Sequence, residues 1–179
     1  MQHRPNLLEA LRSVEYLKSE KRELSRHEYL LTPGVVENNI YFIEEGALRL
    51  FYVSRNAEHD IRFGYSGNII TSLGSFLTGK SSEYYIQAIR KTIVYQVPKT
   101  AFFHFVHSDL QSMKEYGELM EQLALQQLER ELDLLTDSPS ERYQRVLERS
   151  PQLFQEIPLK YIASYLRMTP ETLSRLRNR

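Results

Sequence analysis

Cysteine is absent from this 179-residue chain. That excludes disulfides, thiolate-held iron–sulfur clusters and cysteine nucleophiles. No apolar run approaches the ~20 residues that a bilayer-spanning helix needs, and no signal peptide precedes the first amphipathic segment. A cytoplasmic protein without membrane contact is therefore expected. Also missing is the Gly-x-Ser-x-Gly elbow of serine hydrolases. Leu77-Thr-Gly-Lys-Ser-Ser82 resembles the end of a phosphate-cradling loop, and Gly74 stands at the upstream glycine's spacing, but the short strands around it argue for a barrel or roll and not for the strand–loop–helix unit that such a loop opens. Histidines are few and scattered: His3 near the start, His27 where the strand pattern begins, His59 beside a turn, His104 and His107 three apart on one helix. A barrel metalloenzyme needs two or three histidines and a carboxylate converging inside the barrel. Neither an enzyme nor a bound cofactor or metal is expected.

Net charge is also lacking, at a formal value of zero. This average conceals segregation. Between Gln111 and Asp137 seven acids stand against two bases, a local charge of −5. From Lys160 to Arg179 five bases (Lys160, Arg167, Arg175, Arg177, Arg179) stand against one acid, Glu171, a local charge of +4. A phosphate backbone responds to such a basic end rather than to the mean.

Periodicity divides the chain. From Pro5 to about Arg22, Leu7, Leu8, Leu11, Val14 and Leu17 recur at helical spacing and predict a short amphipathic helix. From about His27 to Val97 the pattern becomes one of strands: Tyr41–Ile43, Ala47–Val53, Ile61–Phe63, Tyr84–Ile89 and Thr92–Val97. Turn residues separate them at Thr32-Pro-Gly34, Glu44-Glu-Gly46, Ser54–Glu58, Ser66-Gly-Asn68 and Thr78–Ser82. Many short strands predict an antiparallel jelly-roll-like β-roll. After Pro98 the strands stop. Thr100–Leu110 reads as a short helix, and Gln111–Leu135 as one long helix. Its apolar residues Met113, Tyr116, Met120, Leu123 and then Leu125, Leu128, Leu132, Leu135 step alternately by three and four, as in a coiled-coil seam. So broad an apolar face fits a helix that touches both its own roll and a second copy of the chain. A homodimer interface is expected at Met113, Tyr116, Met120, Leu123 and Leu128. Ser138-Pro-Ser-Glu141 is a capping box with proline at the first helical position. The helix that it opens runs to about Arg149, and Thr136-Asp137 becomes a hinge. The expected class is α+β: a roll in 1–110, a dimerisation helix and hinge in 111–137, and a helical DNA-binding unit in 138–179.

The last twenty residues read as a helix-turn-helix. Ile162, Ala163 and Leu166 form the inner stripe of a first helix, and Leu173 and Leu176 that of a second. Thr169-Pro-Glu171 opens the second helix with a hydroxyl cap, a proline and a carboxylate in the positive first turn. Glu171, Thr172, Ser174, Arg175, Asn178 and Arg179 remain outward. Arg167 stands in the tight turn, where glycine would be unstrained. An ordinary amphipathic hairpin with a Glu171–Arg175 pair is the competing reading, and the remainder of the chain decides between them.

This order of parts resembles the CRP/FNR family of bacterial transcription regulators over essentially the whole chain. Its most specific residues are Ile43-Glu-Glu-Gly46-Ala-Leu-Arg-Leu50, Gly67-Asn-Ile-Ile70 and Thr169-Pro-Glu-Thr-Leu-Ser-Arg175. The resemblance implies a homodimer on a two-fold symmetric promoter in double-stranded DNA, RNA polymerase as a further partner, and frequently a ligand in the roll. In the family's Arg-Glu-x-x-x-Arg recognition pattern, Glu171 and Arg175 match the second and third residues. A carboxylate accepts from cytosine N4, and a guanidinium grips guanine O6 and N7. Pro170 replaces the first arginine, so one guanine contact is lost. Thr169, Thr172 and Ser174 are assigned to phosphates or base edges, and Arg177 and Arg179 to phosphates or solvent. The sequence stops at Arg179, so the β-hairpin wing frequent in the family is not expected.

The family's cyclic-nucleotide residues do not carry over. Ser72 stands where the ribose-binding glutamate belongs, and Ser82-Glu83 where an Arg-Ser pair belongs. Lys80 reaches the phosphate position only by moving around its turn. Cyclic AMP is not an expected ligand, and the absent cysteines exclude an FNR-type cluster. Ser75, Tyr84, Tyr85 and Gln87 make a polar-aromatic set suited to a small neutral effector of unknown identity; alternatively they are core and rim residues of an empty roll. For the whole protein, the alternative to a DNA-binding regulator is a ligand-sensing or protein-interaction roll with a vestigial helix-turn-helix.

Overall fold

A computed structural model describes residues 7–11 and 19–178. Its strands are β1 (Glu20–Leu24), β2 (Tyr29–Leu31), β3 (Asn39–Glu45), β4 (Ala47–Ser54), β5 (Ala57–Tyr65), β6 (Ile69–Ile70), β7 (Tyr85–Ala88) and β8 (Thr92–Pro98). They form two four-stranded antiparallel sheets, ordered β1-β8-β3-β6 and β2-β7-β4-β5. Alternation places Ile43, Leu48, Leu50, Ile86 and Val94 in one cluster between the sheets, each 5% exposed or less. This is the expected roll.

Two turns explain why the sheets meet where they do. Gly46 joins β3 to β4 at φ +99, and a Cβ there would lie 2.4 Å from Thr92 Oγ1 and 2.5 Å from the Lys91 carbonyl. Only glycine fits such a close approach. Arg55 and Asn56 both have positive φ (50 and 64), so the β4–β5 hairpin turns on two left-handed residues, as a type I′ turn requires.

The helices are α1 (Leu7–Leu11), α2 (Leu73–Thr78), α3 (Lys99–Val106), α4 (Leu110–Leu135), α5 (Pro139–Arg149), α6 (Leu153–Glu156), α7 (Leu159–Tyr165) and α8 (Pro170–Arg177). Helix α4 begins at an Asp109 cap, whose carboxylate accepts from the Ser112 amide at 3.0 Å. Its first turns lie on the roll, where Tyr116 packs edge-on against Phe102 and Phe103. Helix α5 starts at Ser138 as expected, with its hydroxyl accepting from the Glu141 amide at 3.3 Å.

One element overturns its expectation. Periodicity predicts an N-terminal helix running to about Arg22, yet Glu20–Arg22 belong to β1, paired from Glu20↔Gln96 to Leu24↔Thr92. Only Leu24 of that strand is fully buried. It is an edge strand whose charged side chains stay wet, and the pairing offered by β8 outweighs local helical preference. Leu7 and Leu11 are buried as predicted, whereas Val14, Leu17 and His3 fall outside the described residues. Strands β2 and β6 and helix α6 are too short to carry a periodic signal.

Candidate nucleic-acid interface

Helices α7 and α8 form the helix-turn-helix. Ile162, Ala163, Leu166 and Leu173 are each at most 1% exposed and share a cluster with Val146 of α5 and Leu153 of α6. Leu176 is half-buried. Ala163 is small enough for the two helices to cross closely. The turn runs through Arg167 at φ 54, a left-handed value for a residue with a Cβ, which costs ~1–2 kcal/mol. Its guanidinium is tied down: Nη1 donates to His59 Nδ1 at 2.9 Å.

Thr169 caps α8. Its hydroxyl accepts from the Thr172 amide at 3.2 Å, and Pro170 fills the first position. The Glu171 carboxyl is held below the ordinary carboxylate range by its own backbone N–H and then by the Thr169 hydroxyl. It is therefore ready as an acceptor. Thr169, Pro170, Glu171, Ser174, Arg175, Arg177 and Asn178 are exposed, and Thr172 is half-exposed. They form one polar, net-basic face over which none of the described residues packs. Arg175 folds back only as far as a long 3.4 Å bond from Nε to the Glu171 carbonyl. Arg179 lies outside the described residues.

The turn and the α4–α5 connection, where a hinge is expected, are joined by one side chain that sequence reasoning missed. Arg142 on α5 is 9% exposed. Its Nη1 donates to the Leu166 carbonyl at 2.7 Å, and its Nη2 and Nε to the Thr136 carbonyl at 2.8 and 3.2 Å. One guanidinium thus closes the carboxyl ends of α4 and α7, where the helix dipoles are negative. Nearby, the fully buried Asp133 of α4 is gripped by Arg145 at 3.2 Å and Arg149 at 2.5 Å. Only the partners' three-dimensional proximity marks these residues; their spacing along the sequence is uninformative.

The C-terminal helices are also docked on the outer face of the β2-β7-β4-β5 sheet. Ala47, Ile89 and Phe63 join their apolar cluster. Ser164 Oγ of α7 accepts from the Asp60 amide at 3.0 Å and donates to the Glu58 carbonyl at 3.2 Å. Arg90 bonds the Glu156 carbonyl at 2.7 Å and pairs with the Glu156 carboxylate. Beneath α7, Arg49 is 4% exposed; it reaches Glu58 at 2.6 Å and Asp60 at 3.5 Å and lies 4.6 Å from the Tyr161 ring. Burial pushes the Asp60 carboxyl up to about 6, partly offset by Arg49.

The four residues nominated as an effector pocket are not brought together around a cavity. Tyr85 stacks on Phe51 at 4.9 Å, and Tyr84 meets Tyr52 edge-on. Gln87 Oε1 accepts from Arg49 at 2.6 and 3.0 Å, while its Nε2 donates to the His27 carbonyl. Ser75 is consumed by the Glu37 amide at 2.9 Å and the Lys80 carbonyl at 2.5 Å. Strand alternation explains the outcome, because Tyr85 and Gln87 face away from the roll interior that Ile86 and Ala88 fill. Ser72 and Ser82, expected at the family's nucleotide-binding positions, are both buried and bond each other at 2.9 Å. Glu83 faces solvent.

A cavity of about 510 Å³ lies between α4, the β5–β6 corner and the C-terminal helices, and none of the four nominated effector residues lines it. Tyr116, Met120 and Leu123 of the nominated dimer seam line it, together with Arg62, Arg130 and Tyr165. Met113 and Leu128 point outward at 50% and 57% exposure, alongside Leu125 and Leu132. The first seam is thus divided, Tyr116, Met120 and Leu123 turning inward and Met113 outward, while Leu125, Leu128, Leu132 and Leu135 of the second are open. Among the described residues no group of three His, Asp or Glu side chains is placed to hold a metal ion, and no helix is long and apolar enough to cross a membrane.

Residues 21–109 match the family model of the cyclic nucleotide-binding domain. No curated protein matches the sequence. Among solved structures the chain is similar to a CooA mutant from Carboxydothermus hydrogenoformans, at 20% identity and a TM-score of 0.76 over 98% of this chain and 84% of that one. FixK2 from Bradyrhizobium japonicum matches at 19% and 0.76, over 89% and 83%. A CRP-family transcriptional regulator from Thermus thermophilus matches at 16% and 0.65, over 88% and 82%. At these identities the likeness is one of fold, and it takes in both the roll and the terminal helices.

Proposed function

We propose that this chain, which carries a cyclic nucleotide-binding domain and has the fold of the CRP/FNR regulators, is a DNA-binding transcription regulator. The carrying observation is the unobstructed face of α8: a capped helix, anchored by buried Leu173, presenting Glu171, Thr172, Ser174 and Arg175 outward. Such a helix fits the major groove with its first turns toward the base edges. Glu171 accepts from cytosine, Arg175 binds guanine, and Arg177, with Arg179 beyond it, serves the phosphates. Thr169, Pro170 and Ser174 flank the groove walls.

The active species is a homodimer through the outward leucines of α4, so the operator has two-fold symmetry. RNA polymerase is the downstream partner. Cyclic AMP is not the effector: the Ser72–Ser82 hydrogen bond closes the position where an anionic cyclic phosphate would need a guanidinium. No step of the function calls for catalysis.

The test is selection of bound duplexes from a random pool, followed by titration of Arg175→Ala and Arg177→Ala proteins on the winner. Arg175→Ala should flatten the preference at one base pair per half-site; Arg177→Ala should weaken all duplexes about equally. Equal behaviour of the two variants would remove the assigned roles. Failure to retard any duplex at low salt would favour a roll module with a vestigial helix-turn-helix.

A further inference from the structure

The terminal helices share their apolar core with the roll: Val146, Leu153, Ile162, Leu166 and Leu173 cluster with Ala47 and Ile89, and the Tyr165 ring meets Phe63 at 5.6 Å. Apolar contact of this kind holds the unit on the sheet but is non-directional, so it leaves the unit free to turn. Direction has to come from hydrogen bonds.

Strand β5 supplies them. It is the edge of its sheet, ordered β2-β7-β4-β5, so one row of its backbone groups faces away from β4. Ser164 of α7 takes the place of a ladder partner: its Oγ accepts from the Asp60 amide at 3.0 Å and donates to the Glu58 carbonyl at 3.2 Å. Three residues on, Arg167 Nη1 lies 2.9 Å from His59 Nδ1. A guanidinium has only donors, so the half-buried imidazole is the acceptor. Two side chains of the helix-turn-helix thus grip three successive residues of one strand. Backbone groups of an antiparallel strand alternate between its two sides. Sliding α7 by one residue, about 3.3 Å, would set Ser164 against groups that face β4. The register is therefore all or none. Arg167 is followed by Met168 and then by Thr169, the cap of α8, so a fixed turn fixes the start of that helix.

We infer that His59 and Ser164 are positioning residues: by locking the turn onto β5 they set the orientation of α8 relative to α4, and with it the half-site spacing that a dimer reads. The consequence on DNA rests on the function proposed above; the locked orientation does not. At the far end of the unit Arg90 holds the Glu156 carbonyl at 2.7 Å, and the apolar cluster contains neither positioning residue. Loss of the grip should therefore leave the unit attached but pivoting.

The cysteine-free sequence makes the test direct. Spin labels on the exposed positions Lys21→Cys in the roll and Ser174→Cys in α8, in chains diluted with unlabelled protein, report the orientation by their distance distribution without DNA. The parent should give one narrow peak. His59→Leu combined with Ser164→Ala should broaden or split it, while a Lys21→Cys and Lys80→Cys pair within the roll keeps its distance. His59→Asn combined with Ser164→Thr retains an acceptor and a hydroxyl, and should restore the narrow peak. On DNA, palindromes with half-sites one helical turn apart, about 10–10.5 base pairs, are compared with others one base pair longer or shorter. The parent should lose about ten-fold or more at a wrong spacing, the equivalent of one base contact, and the first double variant less than about three-fold. Its discrimination at the base pair read by Arg175 should persist. An unbroadened peak in that variant, an unchanged spacing penalty, or failure of the conservative pair to rescue would each overturn the assignment. A parent that binds no duplex would count against the function proposed above, and the distance peaks alone would then decide the positioning role.

Discussion

Replacing Arg142 by methionine should unfasten the hinge from the helix-turn-helix. The guanidinium makes short bonds to two carbonyls that end different helices, Thr136 at 2.8 Å and Leu166 at 2.7 Å. Each is charge-assisted and contributes roughly 1.5–3 kcal/mol, and removing the donor leaves one buried and one part-buried acceptor unpaired. Methionine matches the apolar stem and recovers part of the packing. The net expected loss is about 3 kcal/mol, which lowers the melting temperature by roughly 6–12 °C for a chain of this size. Arg142→Lys keeps the charge but has one compact head for two targets, so it should lose about half as much. Urea denaturation followed by circular dichroism measures both variants, and an unchanged slope confirms that only stability moved. A loss below about 1 kcal/mol for methionine, or equal losses for lysine and methionine, would refute the clamp.

Asp60 should make stability depend on mildly acidic pH. Its carboxyl is raised from 3.8 to about 6, so the folded protein holds that proton more tightly. The resulting stabilisation is full below 3.8 and is lost as pH rises through 6. The stability difference between wild type and Asp60→Asn should therefore fall across that window; parallel curves in denaturant titrations from about pH 4 to 8 would contradict it. Arg175→Ala should remove roughly 1–3 kcal/mol of discrimination at one base pair per half-site, read by competition between matched and mismatched duplexes. Leu128→Glu should dissociate the dimer. A buried leucine contributes ~1.5–3 kcal/mol and a symmetric seam loses two, so sedimentation should show Kd rising by about two orders of magnitude or more. An unchanged Kd would place the interface elsewhere.

The elements that the sequence revealed are those in which local chemistry and tertiary environment agree. Ser138-Pro139 and Thr169-Pro170 open helices because cap and proline act within a single turn. The roll strands announced themselves because alternating residues face a dry interior. Edge strand β1 did not, since its buried residue is Leu24 alone and its identity comes from pairing with the distant β8. The α8 face was legible, down to the strained turn at Arg167. The nominated effector residues do not converge, because Tyr85 and Gln87 sit on the outer face of their strand and are spent on Phe51 and Arg49. Nothing in the sequence set Arg62 apart from an ordinary surface arginine. Its place in the cavity wall depends on α4 crossing above it, which only three-dimensional packing reveals.

The central claim is that α8 reads DNA from a two-fold dimer, and its most direct test is a fluorescence-anisotropy titration of a selected palindromic duplex at several salt concentrations. Two copies of a helix-turn-helix whose Arg177 and Arg179 serve the phosphates should neutralise at least about four of them, giving a log–log salt slope of roughly −4 or steeper. Binding should saturate at two chains per duplex. A flat salt dependence, saturation at one chain per duplex, or no binding at low salt would contradict it.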